Sequence, residues 1–260
     1  MKNIFFAILF ISALVACPVA AEPSPDQWRL VKTSWVIPGD TADIYEYKYD
    51  GAGRVIEIRN LAGKTLKNIE KDFTYDGDKR IKSFSLFIKG DKLYTYQFTY
   101  DGQGRLASRT EIKHDLYSGK PDKITLTRSF RYEGNKIIER KSRASFGGQL
   151  GDETIYYVGS DGNFTRKGGM NLASKERAQN YTYGNYGSQK NPLQYTGAYF
   201  LTDLESPDAG GDGAWEGTPA ATSSFTANKD GLLGRMIVTY TLSDGGKVKH
   251  TYDYTYVKIK

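Results

Sequence analysis

The chain has 260 residues, 39% hydrophobic, 25% charged and 13% aromatic, which is enough apolar length to bury a core and excludes disorder throughout. Twenty Tyr and 28 Gly against three Met and eight Pro favour strands joined by tight turns, while one Cys excludes an internal disulfide. The net charge is +6, with acids and bases alternating along the chain, so neither a basic stripe nor a nucleic-acid partner is expected.

At the N-terminus, Met1-Lys2-Asn3 is a short positive start and Ile4 to Ala16 an uncharged apolar run, the layout of a secretory signal. The run is shorter than the roughly 20 apolar residues that a permanent membrane helix needs. Two processing chemistries compete. Leu14-Val15-Ala16-Cys17 resembles a bacterial lipobox, which makes residues 1–16 the signal and Cys17 the acylated N-terminus of a flexible tether over 17–27. Val19-Ala20-Ala21 before Glu22 fits signal-peptidase cleavage instead, giving a signal of 1–21. Either product is exported, and the lipid-anchored one sits on the outer-membrane or periplasmic face of the envelope.

From Trp28 onward a phrase recurs. Tyr47-Lys48-Tyr49-Asp50-Gly51-Ala52-Gly53-Arg54-Val55 returns as Phe73-Thr74-Tyr75-Asp76-Gly77-Asp78-Lys79-Arg80-Ile81, then as Phe98-Thr99-Tyr100-Asp101-Gly102-Gln103-Gly104-Arg105-Leu106. A weaker copy spans Phe130 to Ile137, and degenerate copies surround Asp161-Gly162, Asp230-Gly231 and Asp244-Gly245. Rings two positions apart share one face of a strand, Asp bonds the backbone ahead of it, and Gly supplies the positive φ of a hairpin turn. Each unit of about 25 residues is therefore expected to be one hairpin.

Alternation agrees elsewhere: Tyr45, Tyr47 and Tyr49; Tyr94, Tyr96, Phe98 and Tyr100; Tyr252, Tyr254 and Tyr256. The opposite face carries Thr, Lys, Asp and Gln, which predicts one wet and one dry face. Arg128 interrupts the dry face, with its stem on apolar surface and its head in water. A sheet this long twists and cannot leave an aromatic face exposed. The expectation is one all-β domain over 28–260: an antiparallel meander of hairpins, rolled or partly closed, with at most one short helix, at Leu172 to Gln179. Long connections are expected over about 166–224, and Trp28 and Trp35 are expected to cover an open end of the sheet.

The Tyr-Asp-x-x-Gly-Arg-Leu pattern, clearest at Tyr100 to Leu106, resembles the YD repeat of the Rhs family. With Leu14 to Cys17, Lys190-Asn191-Pro192-Leu193 and Tyr252 to Tyr256, the chain is similar to a group of uncharacterised bacterial envelope lipoproteins. That resemblance implies a β-repeat module anchored by lipid and brings no catalytic residues with it. Rhs shells are far longer and enclose a toxin, for which this chain has no room.

Few residues suggest chemistry. Asp203, Glu205, Asp208, Asp212 and Glu216 gather near Trp215, where calcium or a sugar could sit; Trp215, Asp208 and Asp212 are the ligand candidates, without an EF-hand spacing. His114, in a charged Lys113-His114-Asp115 loop, and His250, in an alternating strand, are too few for a His/Cys metal site and have no paired nucleophile, so no metal, cofactor or catalytic residue is expected. The reading is a non-catalytic binding or structural module whose partner is a glycan or envelope protein. The alternatives are an assembly component with no small ligand and a hydrolase using two carboxylates. If Cys17 carries the anchor, Cys17→Ser abolishes incorporation of radiolabelled fatty acid; label equal to that of the wild type rules the anchor out.

Overall fold

Sixteen strands are described in the computed structural model: β1 (Trp28–Val36), β2 (Asp43–Tyr49), β3 (Val55–Ala62), β4 (Thr65–Asp76), β5 (Arg80–Ile88), β6 (Asp91–Tyr100), β7 (Leu106–His114) and β8 (Pro121–Glu133). They continue as β9 (Lys136–Arg143), β10 (Leu150–Val158), β11 (Phe164–Asn171), β12 (Arg177–Gly184), β13 (Asp212–Trp215), β14 (Thr218–Ala227), β15 (Leu233–Thr241) and β16 (Lys247–Lys258). The described residues are 27–259, apart from 78–79, 116–119, 144–149, 172–176, 185, 187, 189, 193, 195–211 and 216–217.

Every strand pairs antiparallel with its sequence neighbours, and β1 lies between β2 and β16, so the meander closes into a barrel. Closure removes both sheet edges. Connections alternate between the two ends as a meander requires. One rim holds the repeated turns together with the ends of β1 and β16; the opposite mouth holds the β1–β2, β3–β4 and β7–β8 connections.

Within the repeated turn, Asp50 accepts from the amides of Ala52 and Arg54 and from the Arg54 guanidinium, at 2.9–3.0 Å. The Arg54 amide and guanidinium hold the Asp50 carboxyl below the usual carboxylate range. Asp101 binds Gln103 and Arg105 in the same way. The fourth turn residue is Gly in the left-handed region, with φ of +74° at Gly53 and +77° at Gly104. Three degenerate copies are shifted from the register that their Asp-Gly pairs suggest. The residue in the Asp50 place is Gly159, Asn228 or Leu242, each exchanging backbone bonds with the fourth and fifth turn residues. Asn228 also takes over the side-chain role, accepting from the amides of Asp230 and Leu232. The Leu242 turn lies at the opposite mouth.

The other residues of the phrase join one hairpin to the next. The Tyr100 hydroxyl donates to the Ile81 carbonyl at 2.7 Å, and Tyr132 to Leu106 at 3.0 Å. Tyr75 donates to Val55, so each copy's Tyr grips the aliphatic residue that ends the copy before it. The preceding Arg lies over the same ring: Arg54 over Tyr75 at 5.0 Å, Arg80 over Tyr100 at 5.3 Å and Arg105 over Tyr132 at 4.1 Å. Those aliphatics, Val55, Ile81 and Leu106, are buried with Ile58, Phe84 and Phe98. Each such side chain contributes about 1.5–3 kcal/mol by leaving water.

The seam of the barrel is one more copy, split between the chain ends. Tyr256 of β16 faces Leu30 of β1 as Tyr100 faces Leu106. Arg29-Leu30 supplies the Arg-aliphatic half: Arg29 donates to the Gly53 carbonyl at 2.8 Å, and Leu30 accepts from Tyr49. Tyr256 donates to the Leu233 carbonyl at 3.0 Å. Leu30 and Leu232 are fully buried beneath Trp28, Tyr254 and Tyr256.

Residues 177–179 belong to β12, in line with an all-β fold holding at most one short helix. Other expectations are corrected. His114 ends β7 instead of lying in a loop and is buried, its Nε2 2.8 Å from Thr95 Oγ1 and that oxygen 3.1 Å from Ser85 Oγ. Trp28 and Trp35 stand at opposite ends of β1, within a closed wall that has no open edge to cover.

Tyr100→Phe and Tyr256→Phe each remove one hydroxyl from a half-buried carbonyl and are expected to cost about 1 kcal/mol in denaturant unfolding. Only Tyr256→Phe should accelerate amide exchange along β15, whose Leu233 carbonyl loses its partner. Unchanged stability in both variants would show that the bonds at these tyrosines are dispensable.

Candidate binding lumen

Residues directly opposite in an antiparallel ladder share a face, so the register states what lines the barrel. One row runs Tyr47, Ile58, Glu70, Leu86, Tyr94, Lys113 and Lys123. The next runs Phe84, Tyr96, Glu111, Leu126 and Arg143. A third runs Phe98, Arg109, Arg128, Lys141 and Asp152.

The lining changes along the barrel axis. Near the rim of repeated turns it is packed by residues at or near the start of alternate strands, Leu30, Val55, Ile81, Leu106, Phe164 and Leu233. Toward the opposite mouth, Trp35, Tyr45, Tyr94 and Tyr240 on the same face are half-buried.

This interior is not uniformly dry. Glu139 is only 1% exposed and accepts from Arg128 Nη1 at 3.2 Å and from the Tyr156 hydroxyl at 3.1 Å, with Lys141 Nζ 3.9 Å away. The Arg128 head is thus drawn into the barrel, against the expectation that it reaches water, because a buried carboxylate requires a paired cation. Glu111 accepts from the Thr125 hydroxyl. Arg109 lies over the Tyr96 ring at 4.8 Å.

Glu70 occupies the middle of the aromatic wall. Burial pushes its carboxyl up to about 7, against the pull of Arg109. Burial likewise pushes the Tyr96 phenol up to about 12, reinforced by Glu111, so its hydroxyl stays protonated. On the β1–β16 side Trp35 stacks parallel to Tyr252 at 6.0 Å, and His250 packs against Trp35 at 5.5 Å and Tyr240 at 4.6 Å. A pocket of about 290 Å³ opens beside Trp35, bounded by Ile37, Thr41 and the Asp43–Lys67 ion pair of 2.6 Å.

The outer wall differs. Lys48–Glu57 at 2.7 Å, Arg140–Glu153 at 2.7 Å and Arg235–Asp253 at 2.6 Å are ion pairs between outward positions. The Arg140–Glu153 pair lies at mid-strand, where a wall facing hydrocarbon would carry apolar side chains.

Of the ligand candidates read from sequence, Trp215 and Asp212 lie on β13, their backbones opposite Tyr181 and Gly184. Asp208, like Asp203, Glu205, Glu216 and Cys17, lies outside the described residues. Sequence reasoning missed Glu70, Arg109, Glu111 and Glu139. Aromatic alternation could not have found them: β7 and β9 carry no aromatic residue, and the register shift at Asp72 puts Glu70 out of phase with Phe73 and Tyr75.

No family model matches the sequence, and no curated protein matches it. Solved structures do. A porin-like protein from Bacteroides vulgatus ATCC 8482 is similar over 88% of this chain and 98% of its own, with a TM-score of 0.53 and 13% identity. A porin-like protein from Bacteroides uniformis ATCC 8492 matches over the same shares, with a TM-score of 0.46 and 13% identity. The TcdB2-TccC3-Cdc42 structure matches over 81% of this chain and 10% of that one, with a TM-score of 0.34 and 14% identity. The first likeness is one of fold, a β-barrel of similar length.

The Glu70 environment has a measurable consequence. Its folded-state value, about 7, lies above the ordinary 4.5, so the fold holds a proton that the unfolded chain releases. This stability is fully present below about pH 4.5 and is lost as pH rises through 7. Glu70→Gln should therefore match the wild type at pH 4.5 and exceed it at pH 8 by on the order of 1–3 kcal/mol. Equal unfolding curves at both pH values would mean that the carboxyl is well solvated.

Proposed function

We propose that this protein is a non-catalytic binding module of the cell envelope, tethered through lipid on Cys17, that takes a glycan into the mouth of its barrel. The observation that carries the reading is the set of half-buried aromatic rings facing the lumen, Trp35, Tyr45, Tyr94 and Tyr240. Sugar rings pack on aromatic faces, and their hydroxyls bond to carboxylates, amides and cations interleaved between the rings. The lumen provides such groups in Asn60, Glu70 and the Asp43–Lys67 pair. The ion pairs of the outer wall favour a barrel standing in water on its tether over one embedded in lipid. The linked Tyr, Asp, Gly, Arg and aliphatic roles at the rim support kinship with YD-repeat envelope lipoproteins.

The test is to titrate the intact protein with defined oligosaccharides, following Trp and Tyr fluorescence and recovering the sugar afterwards. At least one glycan should saturate the signal and return uncleaved. Tyr94→Ala should weaken that glycan by about 1 kcal/mol, roughly fivefold in Kd, with unfolding unchanged. A panel in which nothing binds would overturn the reading in favour of a structural role, and cleaved sugar would establish a hydrolase.

A further inference from the structure

The register gathers charge that the linear sequence disperses. On the lumen face of β7 to β10, the ladder places Arg109 beside Arg128 and Arg128 beside Lys141. It also places Lys113 beside Lys123, with Arg143 next to Leu126. These six cations share the face with three carboxylates, Glu111, Glu139 and Asp152. Like charges directly opposite are unfavourable in a ladder, and this wall contains three such pairs, Arg109–Arg128, Arg128–Lys141 and Lys113–Lys123.

The charge is graded along the barrel. Deep in the wall, Arg128 and Lys141 are engaged by Glu139. At the mouth, Lys113 is the last residue but one of β7, Lys123 is the third residue of β8 and Arg143 ends β9. Lys123 and Arg143 are exposed and Lys113 is half-exposed. Among the described residues none of these three forms an ion pair. Across the mouth stand Trp35, Tyr240 and Tyr252 on β1, β15 and β16, so an aromatic wall faces a cationic one within one closed ring. Low-dielectric walls around a single sign of charge concentrate its field.

Resting on the glycan reading above, we infer that the ligand is an acidic oligosaccharide, one whose sugar rings carry carboxylates. Its rings pack against the Trp35–Tyr252 side while its carboxylates meet Lys113, Lys123 and Arg143. A neutral glycan would leave those cations without anions, and a nucleic acid would require phosphate contacts along a continuous track, whereas the cations lie on one wall at one mouth.

The test measures binding of hexagalacturonic acid, a neutral cellulose hexasaccharide and a single-stranded DNA hexamer to the intact protein at 50 and 300 mM salt. Hexagalacturonic acid should bind at least about tenfold tighter than the neutral chain and lose most of that advantage at high salt. Lys113→Gln combined with Arg143→Gln should weaken it about fivefold to tenfold without altering the neutral sugar. The salt comparison on the unmodified protein holds even where the double variant fails to fold. Equal affinity for acidic and neutral sugars overturns the inference and leaves glycan binding standing. Tighter binding of the DNA overturns it in favour of a nucleic-acid partner. No binding by any of the three overturns the acidic-glycan inference and counts against glycan binding as well.

Discussion

The barrel depends on one recurring bond: a tyrosine hydroxyl of one hairpin donating to a backbone carbonyl near the start of the return strand of the hairpin before it, as Tyr49, Tyr75, Tyr100, Tyr132 and Tyr256 do. A hairpin alone is marginal in water because it buries little apolar surface. The bond makes each unit satisfy a polar group of its neighbour, and it works only while the phenol stays protonated. Burial secures this, pushing the phenols of Tyr49, Tyr75 and Tyr100 upward, the last to about 12. The five recurring residues then have distinct tasks. Tyr grips the previous unit, Asp closes the turn, Gly takes the positive φ, Arg neutralises Asp and covers the next ring, and the aliphatic residue is buried.

Closure follows from the same bond. A linear series of such units would end in an unmatched tyrosine at one side and an unmatched Arg-aliphatic pair at the other. Tyr256 and Arg29-Leu30 are those two ends, and they meet at the β1–β16 seam with the pairing found inside the repeats. The N-terminal strand is therefore the missing half of the last unit, and the ring leaves no edge for another chain to extend.

With the rim so held, the rest of the lumen is relieved of building a core. The packed residues concentrate at the turns, and the barrel beyond them carries half-buried rings and buried charge. Burying Glu139 and Glu70 costs free energy; Arg128, Tyr156 and Lys141 offset it for Glu139, whereas Glu70 responds by holding its proton near neutral pH. A wall with ion pairs outside and charge inside contrasts with one that is apolar toward lipid, and it directs the search for function to the mouth.

Period-two alternation of rings and the recurrence of Asp-x-x-Gly-Arg depend on neighbours within a few residues, so the sequence alone determined the strands, the hairpins, their turn chemistry and the shared aromatic face. It misled at Gly159, Asn228 and Leu242, where the backbone turn is the same but the residue in the Asp place is not Asp. Which strand completes the ring, and which charges meet, depends on contacts between residues far apart in the chain. Leu30 and Tyr256 are at opposite ends of the chain, and Arg109, Arg128 and Lys141 become neighbours only because two antiparallel registers place them in one row. A one-residue slip in either register would send those cations to the outer wall, so tertiary structure alone decided that the barrel is closed and that its mouth is cationic.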